Sequence, residues 1–192
     1  MLTRSFRSRY AASRWHYVPE LCRTLARRQA ARIGTSDPID KLAWVVHVLR
    51  SLDLPLPLPR GICHCDFHVS NILFRGGEFA ALLDLDDANI TFVTFDLVGL
   101  IDQWAWPHGA DMLDFSQARW IVEAYAAHRA LSAIEQKHLY DVYKLSILFD
   151  CVWYFDRDTA ADCRERRKTA ALTALGRRAF FYEPFREGSR QG

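Results

Sequence analysis

The sequence lacks most of the features that advertise a partner. No stretch approaches the roughly 18 apolar residues of a membrane span, and no signal-peptide apolar core is visible. A membrane partner is therefore not expected, and the cytoplasm is the expected compartment. Charge of one sign is also lacking: 25 basic and 23 acidic residues leave a formal net charge of +2, which gives nucleic acid no electrostatic footprint. The five cysteines (Cys22, Cys63, Cys65, Cys151 and Cys163) are odd in number and form no C-x-x-C pair. That excludes a disulfide framework or a zinc ribbon and points to reduced thiols. The nine glycines are scattered, and nowhere do they form G-x-G-x-x-G or G-x-x-x-x-G-K, the loops that cradle phosphates. No internal repeat or low-complexity tract is present.

What is present suits a folded domain. Half of the 192 residues are hydrophobic and 13% are aromatic, enough for a packed core and contrary to intrinsic disorder. Residues 1–19 carry Arg4, Arg7, Arg9 and Arg14 and no acidic residue. They read as a solvated basic arm, with an Arg-rich transit peptide as the alternative. The organisation expected is a basic arm or linker and first helical segment over 1–36, then one body over 37–192 with its motif core at 60–100.

Asp37-Pro38 predicts a helix start, with Asp37 as N-cap. Ile39, Leu42, Val45, Val46, Leu49 and Leu52 follow at helical spacing, until Pro55, Pro57 and Pro59 end the helix near Asp53. Two short apolar runs, 72–74 and 79–83, flank Arg75-Gly76-Gly77-Glu78 and predict a hairpin that ends in the acidic cluster Asp84-Leu85-Asp86-Asp87. From Asp96 onward the pattern turns helical. Asp114 with Gln117, and Ser132 with Glu135, are capping-box patterns that open two helices, and a last helix is expected over about 159–181. The fold class expected is α+β and mainly helical, with a small β-hairpin on one side.

The run His64-Cys65-Asp66-Phe67-His68-Val69-Ser70-Asn71 fits the catalytic-loop pattern H-x-D-[apolar]-x-x-x-N. Phosphoryl transfer needs an acceptor hydroxyl held in line and a carboxylate to take its proton, a role open to Asp66. A hard oxygen ligand for Mg²⁺ is available at Asn71, and an anionic one at Asp84, which the hairpin can fold back beside the loop.

These residues resemble the aminoglycoside phosphotransferase / choline kinase-like superfamily, which includes homoserine kinase-like small-molecule kinases. Its hallmark is H-G-D-x-H-x-x-N, then I-D-[FWL]-[ED]-[ED]-A, then D-L. Here His64 to Asn71 matches the loop, Leu83-Asp84-Leu85-Asp86-Asp87-Ala88 the metal strand, and Phe95-Asp96-Leu97 the closing element. Cys65 stands at the usual small residue, and Val69-Ser70 where Pro-Gly is common. The resemblance implies a protein kinase-like C-terminal lobe that uses ATP and Mg²⁺, with Asp66 as catalytic base and Asn71 and Asp84 as metal ligands. It further implies Asp96 as a brace for the catalytic loop. Asp86 is a candidate for a second metal, His64 for stabilising the loop and His68 for touching the substrate. Only eleven residues separate Asp84 from Asp96, too few for the activation segment of a protein kinase, so a small hydroxyl-bearing acceptor is expected.

No strand lysine or glycine-rich loop precedes the motif: the first glycine is Gly34 and the first lysine Lys41. The expectation is a catalytic lobe whose N-terminal nucleotide lobe is absent, weak or inactive alone, with an exposed surface that invites association. Two other functions fit parts of the pattern. One is a metal-dependent hydrolase built on His64, Asp66 and His68 with Asp84 or Asp86. The other is a kinase-like binding module without turnover.

Overall fold

The computed structural model describes residues 16–107, 112–161 and 163–185; the basic segment 1–15, and with it most of the expected arm, lies outside the described residues. Six helices and four short strands follow in chain order. They are α1 (Pro19–Ile33), α2 (Ser36–Ser51), β1 (Arg60–Cys63), β2 (Ile72–Arg75), β3 (Glu78–Leu82), β4 (Asn89–Phe92), α3 (Phe95–Trp104), α4 (Phe115–His128), α5 (Ala133–Trp153) and α6 (Arg164–Phe185). The class is mainly helical α+β, and no helix among the described residues is long and apolar enough to cross a membrane.

Helix α5 is the axis of the body. Its residues from His138 to Phe149 are buried without a break, so it has no solvent face there. Packed round it are α1, α3 and α6. Helix α1 contributes Cys22, Leu25, Ala26 and Ala30 to the same apolar core as Leu139, Val142, Leu145 and Leu148. Tyr17 stacks on Phe149 with ring centroids 4.3 Å apart, which ties the chain ahead of α1 to the centre of the molecule.

Helix α2 differs from its sequence reading in two respects. It begins at Ser36, and Asp37 is not its cap: the Asp37 carboxylate accepts from the backbone N–H of Ala160, 2.6 Å away. The buried stripe is Pro38, Lys41, Val45, Val48 and Leu49, while Ile39 is 57% exposed. Lys41 enters the core because its ammonium finds two carbonyls at the end of α5, those of Phe155 and Asp158, at 2.7 and 2.6 Å. A hydrogen-bonded cation is thereby tolerated where apolar periodicity alone favoured isoleucine.

Two small antiparallel sheets replace the single hairpin expected. β2 and β3 form that hairpin, pairing Ile72 with Leu82 and Arg75 with Glu78, and turn through Gly76 and Gly77, both at positive φ. The unexpected sheet pairs β1 with β4, Arg60 opposite Phe92 and Cys63 opposite Asn89. It brings the chain before the loop motif and the chain after the acidic cluster side by side. The two predicted caps hold: Asp114 accepts from the amides of Ser116 and Gln117, and Glu135 accepts from the amide and hydroxyl of Ser132. Helix α6 starts later than expected and breaks at Gly176, whose φ of 80° and ψ of 156° re-aim its last turns.

Candidate active site

The loop 64–71 is held by side chains that bond backbone. Asp96, in the first turn of α3, accepts from two successive amides, His64 N–H at 2.8 Å and Cys65 N–H at 2.9 Å. Burial raises the Asp96 carboxyl, and the two amides pull it back toward its ordinary range. The His64 ring is buried and bridges the two halves of the motif. Its Nε2 lies 2.8 Å from the Leu83 carbonyl, and its Nδ1 accepts from the Asp66 N–H at 3.3 Å. A ring nitrogen that accepts from an amide carries no proton, so the neutral Nε2–H form donates to Leu83. The loop and the end of β3 are thus locked together through one imidazole.

Between these anchors the backbone turns sharply. Cys65 and Asp84 are the non-glycine residues at positive φ among the described residues, at 67° and 57°. Cys65 occupies the place where the resembled pattern carries glycine, the residue for which this conformation costs least. Cys63 is buried, and the Cys65 Sγ lies 3.6 Å from the Cys63 carbonyl.

Asp66 projects as an exposed carboxylate. Asn71 reaches it across the turn: its Nδ2 donates to the Asp66 Oδ2 at 2.8 Å and to the Asp66 carbonyl at 3.1 Å. With both amide protons so used, the Asn71 Oδ1 remains as the ligand-type oxygen. The Leu83 N–H donates to the Asn71 carbonyl at 2.8 Å, which seats Asp84 beside the loop. Asp86 and Asp87 follow on an exposed turn. The Asp87 carboxyl is raised, first by partial desolvation and then by the charges of Asp66, Asp84 and Asp86. Four carboxylates therefore share one field that a divalent cation would relieve, and the Asn71 oxygen with Asp84 and Asp86 supplies the hard-oxygen chemistry that Mg²⁺ prefers. His68 faces solvent and is spent locally: its Nδ1 lies 2.7 Å from the Ser70 hydroxyl and accepts from the Ser70 amide.

The hydrolase arrangement finds less support. Both nitrogens of His64 are engaged with backbone groups, and no trio of His, Cys, Asp or Glu side chains among the described residues forms a metal cluster.

Sequence reading missed the recess behind Asp66. It is lined by Asp66, Phe67, Gly99, Asp102, Ser146 and Asp150, from the loop, α3 and α5. Asp102 is buried and paired with Lys168 of α6, 2.7 Å from its Oδ1, and accepts from the fully buried Tyr143 hydroxyl at 3.0 Å. Asp150 keeps an exposed carboxyl in the lining. That carboxyl is raised by desolvation and by the charge of Asp102, with Lys168 opposing; solvent at its face damps both effects. Asp102 and Lys168 stand 66 residues apart, so no local pattern could have paired them. The acid within Ile147–Trp153, an otherwise apolar run, was the one legible signal for Asp150.

The profile of the phosphotransferase enzyme family matches residues 4–131. A homoserine kinase of Methylocella silvestris is 38% identical over 84 residues, covering 43% of this chain and 26% of that protein. A homoserine kinase of Pseudomonas aeruginosa is 33% identical over 98 residues, covering 50% of this chain and 31% of that protein. One from Rhodopseudomonas palustris is 29% identical over 100 residues, 52% of this chain and 30% of its own length. The match thus spans about a quarter to a third of the length of these curated relatives. Two thirds of the chain falls within the family profile, its loop motif, acidic turn and bracing aspartate included, and the chain belongs to the phosphotransferase enzyme family.

Proposed function

We propose that this chain is the kinase-like C-terminal catalytic lobe of a small-molecule phosphotransferase, one that moves the γ-phosphoryl group of ATP to the hydroxyl of a small amino alcohol such as homoserine. The observation that carries the reading is the tether of Asn71 to Asp66. A single side-chain amide fixes an exposed carboxylate through its Nδ2 and keeps its own oxygen for a ligand. Base and metal ligand are thereby positioned by one another before any substrate arrives.

In this reading Asp66 orients the acceptor hydroxyl and takes its proton as the new O–P bond forms and the bond from the γ-phosphorus to the bridging oxygen breaks, releasing ADP. Asn71 and Asp84 would hold Mg²⁺, and Asp86 would serve a second ion; bound Mg²⁺ would neutralise charge on the phosphates. His64 and Asp96 keep the loop in register. His68 caps the turn that carries Asn71 and offers an exposed ring to a substrate. The recess receives the acceptor. There Asp102 is neutralised by Lys168, so Asp150 is left as the anion for an ammonium group. The apolar hairpin residues Leu73, Phe74 and Phe79, all exposed, offer a surface on which a nucleotide base and the segment covering it can pack.

The test is calorimetric titration of Mg²⁺·ATP into the purified chain and its Asp84→Ala variant, followed by ³¹P NMR of homoserine incubated with both. Expected are Mg²⁺·ATP binding lost in the variant and a phosphomonoester signal that is weak for the chain alone and requires Asp66. A well-folded chain that binds no Mg²⁺·ATP overturns independent phosphoryl transfer and leaves the binding-module reading.

A further inference from the structure

At the N-terminal end of α5, a cleft of about 580 Å³ opens between the first turns of that helix, the last turns of α6 and Asp53. Its existence depends on Gly176. The positive φ there breaks α6, so that Arg177 and the turns after it lie back against α5. Arg177 locks this position by donating to the fully buried Asp141 at 2.6 and 2.9 Å. The same carboxylate accepts from the Asp53 amide at 3.1 Å, which fixes the third wall.

We propose that this cleft is a second, non-catalytic binding site for a small amphipathic organic anion, an aromatic or similarly flat body that carries a carboxylate, sulfonate or phosphate. The volume falls within the range of small-molecule sites, and the lining mixes apolar surface with a few charges as such sites do. Phe181 and Tyr182 provide the aromatic wall, their ring centroids 5.5 Å apart in an edge-to-face pair. Tyr182 is 54% exposed, a large aromatic side chain that keeps over half of its surface open to solvent. The charge is one-sided. Lys137 and Arg178 join Arg177 in the lining, and Asp53 is its sole carboxylate among the described residues. Arg177 is taken by Asp141. His138 binds the Asp53 carbonyl through Nδ1 at 2.8 Å, which sets a ring nitrogen 3.6 Å from the carboxylate of that lone acid. Arg178, over the Tyr182 ring with 5.9 Å to its centroid, places a cation where aromatic and anionic parts of one ligand would meet. None of these residues takes part in the phosphoryl-transfer reading, so the site stands or falls without it.

The probe is 8-anilinonaphthalene-1-sulfonate, followed by its fluorescence on the folded chain. Expected is saturable binding of one molecule per chain, weakened at least tenfold in Lys137→Glu/Arg178→Glu and also in Tyr182→Ala. The hairpin pair Phe74→Ser/Phe79→Ser, which removes the other exposed aromatic patch, should leave the affinity unchanged. Benzenesulfonate should displace the probe where equimolar inorganic sulfate does not. Undiminished binding in the charge-reversal variant, or loss in the hairpin variant, overturns the site. Should the double reversal lower the melting temperature, Arg178→Gln alone decides, with a threefold or greater loss expected and no change overturning the proposal.

Discussion

The motif segment from Arg60 to Asp96 and the helical body of α5 and α6 are built on opposite principles. In the motif segment most residues from Asp66 to Asp87 are exposed, two non-glycine residues sit at positive φ, and three side chains (His64, Asn71 and Asp96) tie the turns together through backbone groups. In the body, twelve successive residues of α5 from His138 to Phe149 are buried, and stability rests on apolar burial with Asp102–Lys168 and Asp141–Arg177 set into it. Charges in the motif segment are left to face one another; the buried carboxylates of the body, Asp102 and Asp141, are each given a partner. The proposed function and the stability of this chain should therefore be separable, and substitutions can show where the separation stops.

The sharpest break should come from Lys168→Met, which strands the buried Asp102 carboxylate. A loss of about 3–5 kcal/mol in urea denaturation is expected, and adding Asp102→Asn should recover part of it. If the single variant is as stable as wild type, the body does not rest on that pair. Asp66→Asn tests the other region. Phosphoryl transfer should fall by about a thousandfold, equal to about 4 kcal/mol in the barrier, at an unchanged melting temperature; a fall in both would show that the exposed loop also bears structural load.

Glu135 gives a pH readout of the body. Burial by itself would raise its carboxyl, but the Ser132 hydroxyl and amide and the Arg129 guanidinium more than offset that and hold it below the ordinary range. An acid lowered in the folded state contributes stability above its unfolded pKa and loses it as pH falls through the folded value. Thermal stability should thus drop below about pH 4, and Glu135→Gln, expected to cost about 1–3 kcal/mol at neutral pH, should flatten that drop. Asp150 joins the two regions. With its carboxyl raised, an amine-bearing acceptor should bind better as pH rises through neutrality. Asp150→Asn should raise KM about tenfold and remove that dependence, with kcat little changed; an unaltered KM would put the ammonium elsewhere. The smallest effect is expected at Cys65. Glycine relieves the positive φ but gives up packing, so Cys65→Gly should alter stability by no more than about 1 kcal/mol, whereas the β-branched Cys65→Val should be clearly destabilised.

The sequence by itself determined what short range controls. The two glycines at 76 and 77 specified the hairpin turn, Ser132-x-x-Glu135 the start of α5, and the spacing of His64, Asp66, Asn71, Asp84 and Asp96 the candidate site and the family. A turn needs positive φ, a cap needs an acceptor at a set offset, and a catalytic loop needs ligands within a few residues, so each leaves a local mark. Tertiary structure decided what long range controls. Lys41 enters the core on carbonyls more than a hundred residues away, and Asp37 abandons the cap position for Ala160. The β1–β4 sheet joins segments on either side of the motif, Lys168 finds Asp102, and Gly176 opens the cleft beside α5. Pairing of polar groups across the fold depends on which surfaces meet when the core closes, and the low-dielectric interior then makes those pairings obligatory.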